Sequence, residues 1–199
     1  MKKLNIAVSV GDLNGVGIEI ALKAHDEVCK LCNPIYCINE KLLNQASSLL
    51  NVTVPKDIRL SNVNGNLKIK IGKIDASSGQ YSYDSFIEAI SLCEKDKADA
   101  VVTMPIHKEA WMLAGLDYKG HTDLLRQYFD KDAIMMLGCK EMFVALYTEH
   151  IPLKDVASQI KIDKLTQFFL DLHKSIGDKK VAVLGLNPHA GDNGVLGDE

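Results

Sequence analysis

Residues 4–25 read LNIAVSVGDLNGVGIEIALKAH, and the fold turns on how this stretch is read. Residues 4–10 are apolar almost without a break, as a strand buried on both faces requires. Gly11, Gly15 and Gly17 then crowd a short polar turn, and residues 15–25 open a helix behind it. Strand, glycine turn and helix are the first half of a crossover between parallel strands.

The same alternation continues outward. PIYCIN (34–39) reads as a second strand, followed by a helical pattern over 40–50. Residues 51–78 are less regular, with LKIKI (67–71) alternating as a strand. Phe86, Ile90 and Cys93 recur at helical spacing within 81–98, and DAVVTMP (99–105) is a β-branched run that stops at Pro105. Short helical stretches are expected around 107–114 and 123–130, and strands at AIMML (133–137) and MFVALYT (142–148). Ile162, Leu165, Phe169, Leu172 and Ile176 mark one face of a helix, and VAVLGL (181–186) reads as the last strand. This order predicts the α/β class, with helices covering both faces of a largely parallel sheet. No internal repeat and no Pro/Gly-rich linker interrupts it.

Composition narrows the function. Of 199 residues, 47% are apolar and 25% charged, as in an ordinary globular protein, and the formal net charge of −3 speaks against a nucleic-acid partner. No apolar stretch approaches the roughly 20 residues that cross a bilayer. The opening MKKLNIAVSVGD lacks a small-residue cleavage site, so it reads as a core strand and the protein is expected in the cytoplasm. Cys29 and Cys32 form a CxxC, but no second pair lies at zinc-site spacing. With Cys37 they read as small reduced residues, the first two at a helix end and the third in a strand.

In open α/β sheets, ligands bind beyond the carboxyl ends of the strands, so the polar clusters there are the candidate site. GDLNGVGIE (11–19) is either a tight structural turn or a turn that brings backbone against an anion. His107 and Lys108 follow Pro105, where Lys108 suits an anionic substrate and equally suits a solvated first helical turn. In GHTDLL (120–125), Thr122 is expected to cap a helix whose free N–H groups suit a phosphate, with His121 beside it. His150 and His189 follow two strands and suit a shared metal ion, although a catalytic site commonly has three protein ligands. Glu149, Asp192 or a residue outside this sequence would be the third.

Together GDLNGVGIE, TMPIHK, GHTDLL, YTEHIPLKDV and GLNPHAGDNGVLGDE resemble, in order, the 4-hydroxythreonine-4-phosphate dehydrogenase family of the vitamin B6 pathway, the PdxA family. The first motif is looser and is similar to a wider superfamily with isocitrate and isopropylmalate dehydrogenases. It has Leu13, Asn14 and Ile18 where the family tends to have proline, alanine and proline.

The resemblance implies a homodimer of two-domain α/β/α subunits. Here residues 1–105 would be part of the first domain, and 106–199 part of the second, carrying the metal and substrate residues. It implies NAD or NADP as cofactor and one divalent metal, such as zinc, magnesium or cobalt. His121 and Thr122 are then substrate contacts, His107 and Lys108 additional anion contacts, and His150 and His189 metal ligands with a third expected beyond Glu199. The reaction implied is oxidation of 4-phosphooxy-threonine to a 3-oxo acid that decarboxylates to 3-amino-2-oxopropyl phosphate. The sequence looks like an amino-terminal part of such an enzyme, and on its own 199 residues is expected to be nearly inactive. Other readings are a dehydrogenase of another small phosphorylated hydroxy acid, such as a four-carbon sugar-acid phosphate, a metal-dependent hydrolase, or an inactive fragment.

Overall fold

The structure is a computed structural model that describes residues 2–189 and 195. It divides into two compact units, Met1–Tyr128 and Phe129–Glu199.

The first unit is built on β1 (Asn5–Ser9), α1 (Gly17–Leu31), β2 (Asn33–Cys37), α2 (Glu40–Leu50), β3 (Leu60–Ser61), α3 (Ala76–Glu94) and β4 (Ala100–Thr103). Its sheet runs β3-β2-β1-β4, and every pairing is parallel. In register, Ala7 faces Ile35 on one side and Val101 on the other. The apolar run that began the reading is thus the inner strand, with Ala7 and Val8 buried. Ile18, Ala21 and Leu22 of α1, Leu42, Leu43 and Ala46 of α2, and Tyr81, Ala89 and Leu92 of α3 join it in one core.

A second cluster holds the unit's far end together. α4 (Lys108–Leu113) and α5 (His121–Phe129) deliver Trp111 and Leu124 onto Phe86 and Ile90 of α3. Trp111 is fully buried and its indole Nε1–H donates to Ser82 Oγ at 2.6 Å. The helices can touch because residue 79 is glycine, where a Cβ would run into the Ala110 carbonyl. This packing keeps residues 106–128 with the first unit. The first compact unit therefore runs to Tyr128.

In the second unit, β5 (Met135–Gly138) and β6 (Phe143–Leu146) form an antiparallel pair, Met135 facing Leu146. The sequence led us to expect these strands in a largely parallel sheet; a four-residue connection permits only the antiparallel arrangement. α6 (Val156–Gln159) and α7 (Ile162–Ile176) follow. Leu172 of α7 is buried and Leu165, Phe169 and Ile176 are half-buried, as their spacing predicts, while Ile162 is exposed.

Two expected strands are absent from the described residues. LKIKI (67–71) buries Leu67 and Ile69 alternately but pairs with no neighbour. VAVLGL (181–186) forms no strand, leaves Leu184 91% exposed, and finds no partner among the described residues. Alternation or apolarity makes a strand only where a ladder partner exists. All five cysteines are free: Cys37 is buried in β2, while Cys29 and Cys32 sit half-buried at the end of α1. No helix among the described residues is long and apolar enough to cross a membrane.

Candidate functional site

The turn after β1 is the most tightly specified loop of the first unit. Gly11 has φ 67°, and a Cβ there would collide with the Pro105 carbonyl. That carbonyl instead accepts from the Asp12 N–H at 2.9 Å, tying the ends of β1 and β4 together. Asp12, 5% exposed, accepts the Asn14 N–H at 2.8 Å through its carboxylate, which closes the turn before α1.

Asn14 then reaches outward. Its Nδ2 donates to the Lys73 carbonyl at 2.9 Å and its Oδ1 accepts from the Lys70 N–H at 2.7 Å. Its own carbonyl accepts from the Gly72 N–H at 2.8 Å. Three hydrogen bonds thus hold residues 70–73 against the β1–α1 turn. These partners lie 56–59 residues away along the chain, and a single amide in a glycine-rich turn was the one sign of them in the sequence.

Between these segments, beyond the carboxyl ends of β1 and β4, lies a cleft of about 360 Å³ whose lining includes Asp12, Asn14, Gly15, Lys73 and His107. The amino end of α1 borders it, since Gly15 and Val16 are wall residues and Val16 makes no side-chain cap. Unpaired helical N–H groups with Lys73 nearby favour an anionic group over a neutral one.

His121 lies in the second cluster. It is the first residue of α5, so Thr122 sits within the first turn and is not the N-cap expected from the sequence. Asp123 accepts from the Lys119 N–H at 3.0 Å and supplies the local stop. The His121 ring meets Phe86 edge-to-face at 4.8 Å and Trp111 at 5.9 Å. Its Nε2 is buried and has no hydrogen-bond partner. Burial in this aromatic wall lowers its pKa below the ordinary 6.5. A neutral imidazole with an unmatched ring nitrogen is the kind of polar group that a ligand satisfies. Lys108 is exposed, and its Cε lies 3.6 Å from where a Cβ on Gly120 would be. His107 lines the cleft while Lys108 lies by the start of α5, so the neighbours serve different places.

In the second unit, His150 is exposed and adopts φ 53°, the left-handed region that asparagine, aspartate and histidine enter more readily than other non-glycine residues. His189 is exposed, and its N–H donates to Asn187 Oδ1 at 3.0 Å in a local turn. Among the described residues neither histidine belongs to a close trio of ligand groups. The donor chemistry, two exposed imidazoles, suits a divalent ion, but two donors fall short of a catalytic set. Asp192 lies outside the described residues.

Residues 30–199 match the family described as pyridoxal phosphate biosynthetic protein PdxA. The chain is 71% identical, over all 199 residues, to the 4-hydroxythreonine-4-phosphate dehydrogenase of Sulfurimonas denitrificans, covering 65% of that protein. It is 52% identical to the enzyme of the same name from Campylobacter fetus over 96% of this chain and 62% of that one. The chain therefore spans somewhat under two thirds of these relatives. A crystal structure of a 4-hydroxythreonine-4-phosphate dehydrogenase from Burkholderia phymatum superposes with TM-score 0.82 at 26% identity, over 99% of this chain and 67% of that one. With the fold, the strand-end motifs and these likenesses in agreement, the chain belongs to the PdxA family of pyridoxal phosphate biosynthetic proteins.

Proposed function

We propose that the whole protein to which this chain belongs is an NAD(P)-dependent dehydrogenase of 4-phosphooxy-threonine. It converts the secondary alcohol to a 3-oxo acid that loses CO2 to give 3-amino-2-oxopropyl phosphate. The observation that carries the reading is the 71% identity, over every residue of the chain, to a 4-hydroxythreonine-4-phosphate dehydrogenase.

His121 and Thr122 bind the substrate. The orphaned, buried Nε2 of His121 makes its hydrogen bond to a substrate polar group, and the aromatic wall around it excludes water and fixes the ring. Thr122, one residue into α5, offers a hydroxyl beside it. Lys108, the first residue of α4 and close to Gly120 ahead of α5, supplies positive charge toward the phosphate, and His107 offers a separate polar contact from the cleft. His150 and His189 hold a divalent ion with a third protein ligand, and zinc, cobalt or magnesium suits imidazole plus substrate oxygens. When bound, that ion supplies Lewis acidity at the alcohol and the nicotinamide supplies hydride acceptance. The protein works as a homodimer in the cytoplasm.

The test is direct: full-length protein is incubated with NAD or NADP and a divalent metal. 4-Phosphooxy-threonine should drive nicotinamide reduction with release of CO2. Faster turnover of a four-carbon sugar-acid phosphate, or no nicotinamide reduction with either substrate, would overturn the reading.

A further inference from the structure

Three potential metal ligands converge far from the strand-end motifs, where the sequence showed only a CxxC without a second pair. His25 and Cys29 stand one turn apart on the same face of α1. Asp57 reaches them from the loop that leads into β3. His25 Nε2 lies 3.4 Å from Cys29 Sγ and 3.3 Å from Asp57 Oδ1, and all three ligand atoms lie within 4.8 Å of one another. Two donors bound tetrahedrally to zinc, at about 2.0–2.3 Å each, are separated by about 3.4–3.6 Å. The two separations from His25 Nε2 are close to that spacing, and the third pair is near enough for the exposed Asp57 side chain to close on a shared ion.

The surroundings fit as well. His25 is 1% exposed, and its other nitrogen, Nδ1, lies 3.1 Å from the hydroxyl of Tyr36 on β2. A metal-binding imidazole commonly donates its second N–H to such a partner, which fixes tautomer and ring orientation. Asp57 is 76% exposed, which leaves an entry path from solvent. Among the described residues this is the one group of three His, Cys, Asp or Glu side chains so placed. A hydrogen-bond network alone would use His25, Tyr36 and Asp57 and leave the Cys29 sulfur, on the same ring nitrogen, without a task.

We infer that His25, Cys29 and Asp57 form a second metal site, separate from the histidines after the strands, that takes a thiophilic divalent ion such as zinc. Mixed nitrogen, sulfur and oxygen donors select a borderline-soft ion over magnesium or calcium. On binding, Cys29 Sγ bonds to the ion and its proton leaves to solvent, so thiolate, carboxylate and neutral imidazole balance the double charge. Water completes the fourth position. The ion then clips the carboxyl end of α1 to the loop before β3, a structural role independent of the dehydrogenase reading.

The experiment uses full-length protein stripped of metal and titrated with Co2+, whose bond to a thiolate gives a near-ultraviolet charge-transfer band that histidine and carboxylate ligands lack. The band should saturate with one thiolate-bound cobalt per chain, in addition to any held by the histidines after the strands, vanish in Cys29→Ser, and persist in Cys32→Ser, since the Cys32 thiol is engaged with the Val28 carbonyl. Zinc, measured by competition with a chromophoric chelator, should displace the cobalt, and Asp57→Asn should weaken that zinc at least 10-fold. Unchanged far-ultraviolet circular dichroism in the metal-free variants shows that they fold. Absence of the band from the wild type, its survival in Cys29→Ser, its loss in Cys32→Ser, or unaltered zinc affinity in Asp57→Asn would each overturn the site.

Discussion

Replacing Asn14 with alanine tests whether the bracket between the β1–α1 turn and residues 70–73 shapes the cleft. The substitution removes two side-chain hydrogen bonds, to the Lys73 carbonyl and from the Lys70 N–H, at a residue only 3% exposed. Each contributes about 0.5–1.5 kcal/mol net, and together they come to about 2 kcal/mol. Lys70 and Lys73 themselves lie in an exposed segment, so water re-solvates the freed groups and the larger penalty of a sealed, unpaired group does not apply. The backbone bond from Gly72 to the Asn14 carbonyl survives the change. The one tryptophan of these 199 residues, Trp111, is buried in the first unit, so its fluorescence reports unfolding there. With a urea dependence of about 2 kcal/mol per molar, the midpoint should fall by about 1 M. Hydrogen exchange at the Lys70 amide should quicken about 10-fold or more, and amides of the central strand β1 should change no more than the global loss of stability requires. Asn14→Asp keeps the acceptor and loses the donor, so it should fall between the two. A midpoint within about 0.2 M of wild type, with unchanged exchange at Lys70, would refute the reasoning.

Trp111→Ala should cost about 3–5 kcal/mol, measured by circular dichroism in urea, because it empties the centre of the second cluster and removes the hydrogen bond to Ser82, which keeps its own bond to the Gly79 carbonyl. Burial holds the folded pKa of His121 below its unfolded value of 6.5, so the unfolded state binds the proton more readily. Stability should therefore be lost as pH falls through 6.5 toward the folded pKa, and His121→Gln should flatten that part of a pH series of urea midpoints. Lys108→Ala in the full-length enzyme should raise KM for the phosphorylated substrate about 10-fold or more with a smaller change in kcat, read from initial rates. Gly11→Ala should give little folded protein on expression, since its Cβ meets the backbone of Pro105 and its φ is positive.

Much of the fold was legible because burial periodicity is a local property. The apolar runs at 4–10 and 99–105 contain β1 and β4, the run at 34–39 covers all of β2 but its first residue, and the spacing of Ile162 to Ile176 is that of α7. Each reading needed only neighbours a few residues apart. The misread segments share one cause. LKIKI alternates and VAVLGL is apolar, yet a strand is defined by its partner, and neither has one among the described residues. β3 was missed for the opposite reason: its two residues carry no period and exist as a strand only through the pairing of Tyr36 with Leu60.

The candidate site divides the same way. His107, Lys108, His121, Thr122, His150 and His189 stand out because polar residues after apolar runs or at helix starts are where ligands are looked for in an α/β chain, although only His107 and Lys108 follow a strand of the parallel sheet. What those residues face is not in the sequence. Only tertiary packing closes Phe86 and Trp111 around His121 and leaves its Nε2 without a partner. Only packing sets Asn14 against Lys70 and Lys73, or carries Asp57 across to His25 and Cys29. The sequence by itself determined the α/β class, the helix and strand positions with a local period, and the motifs that mark the family. The tertiary structure decided the strand order, the cleft and both convergent clusters, because contacts between residues tens of positions apart leave no periodic trace along the chain.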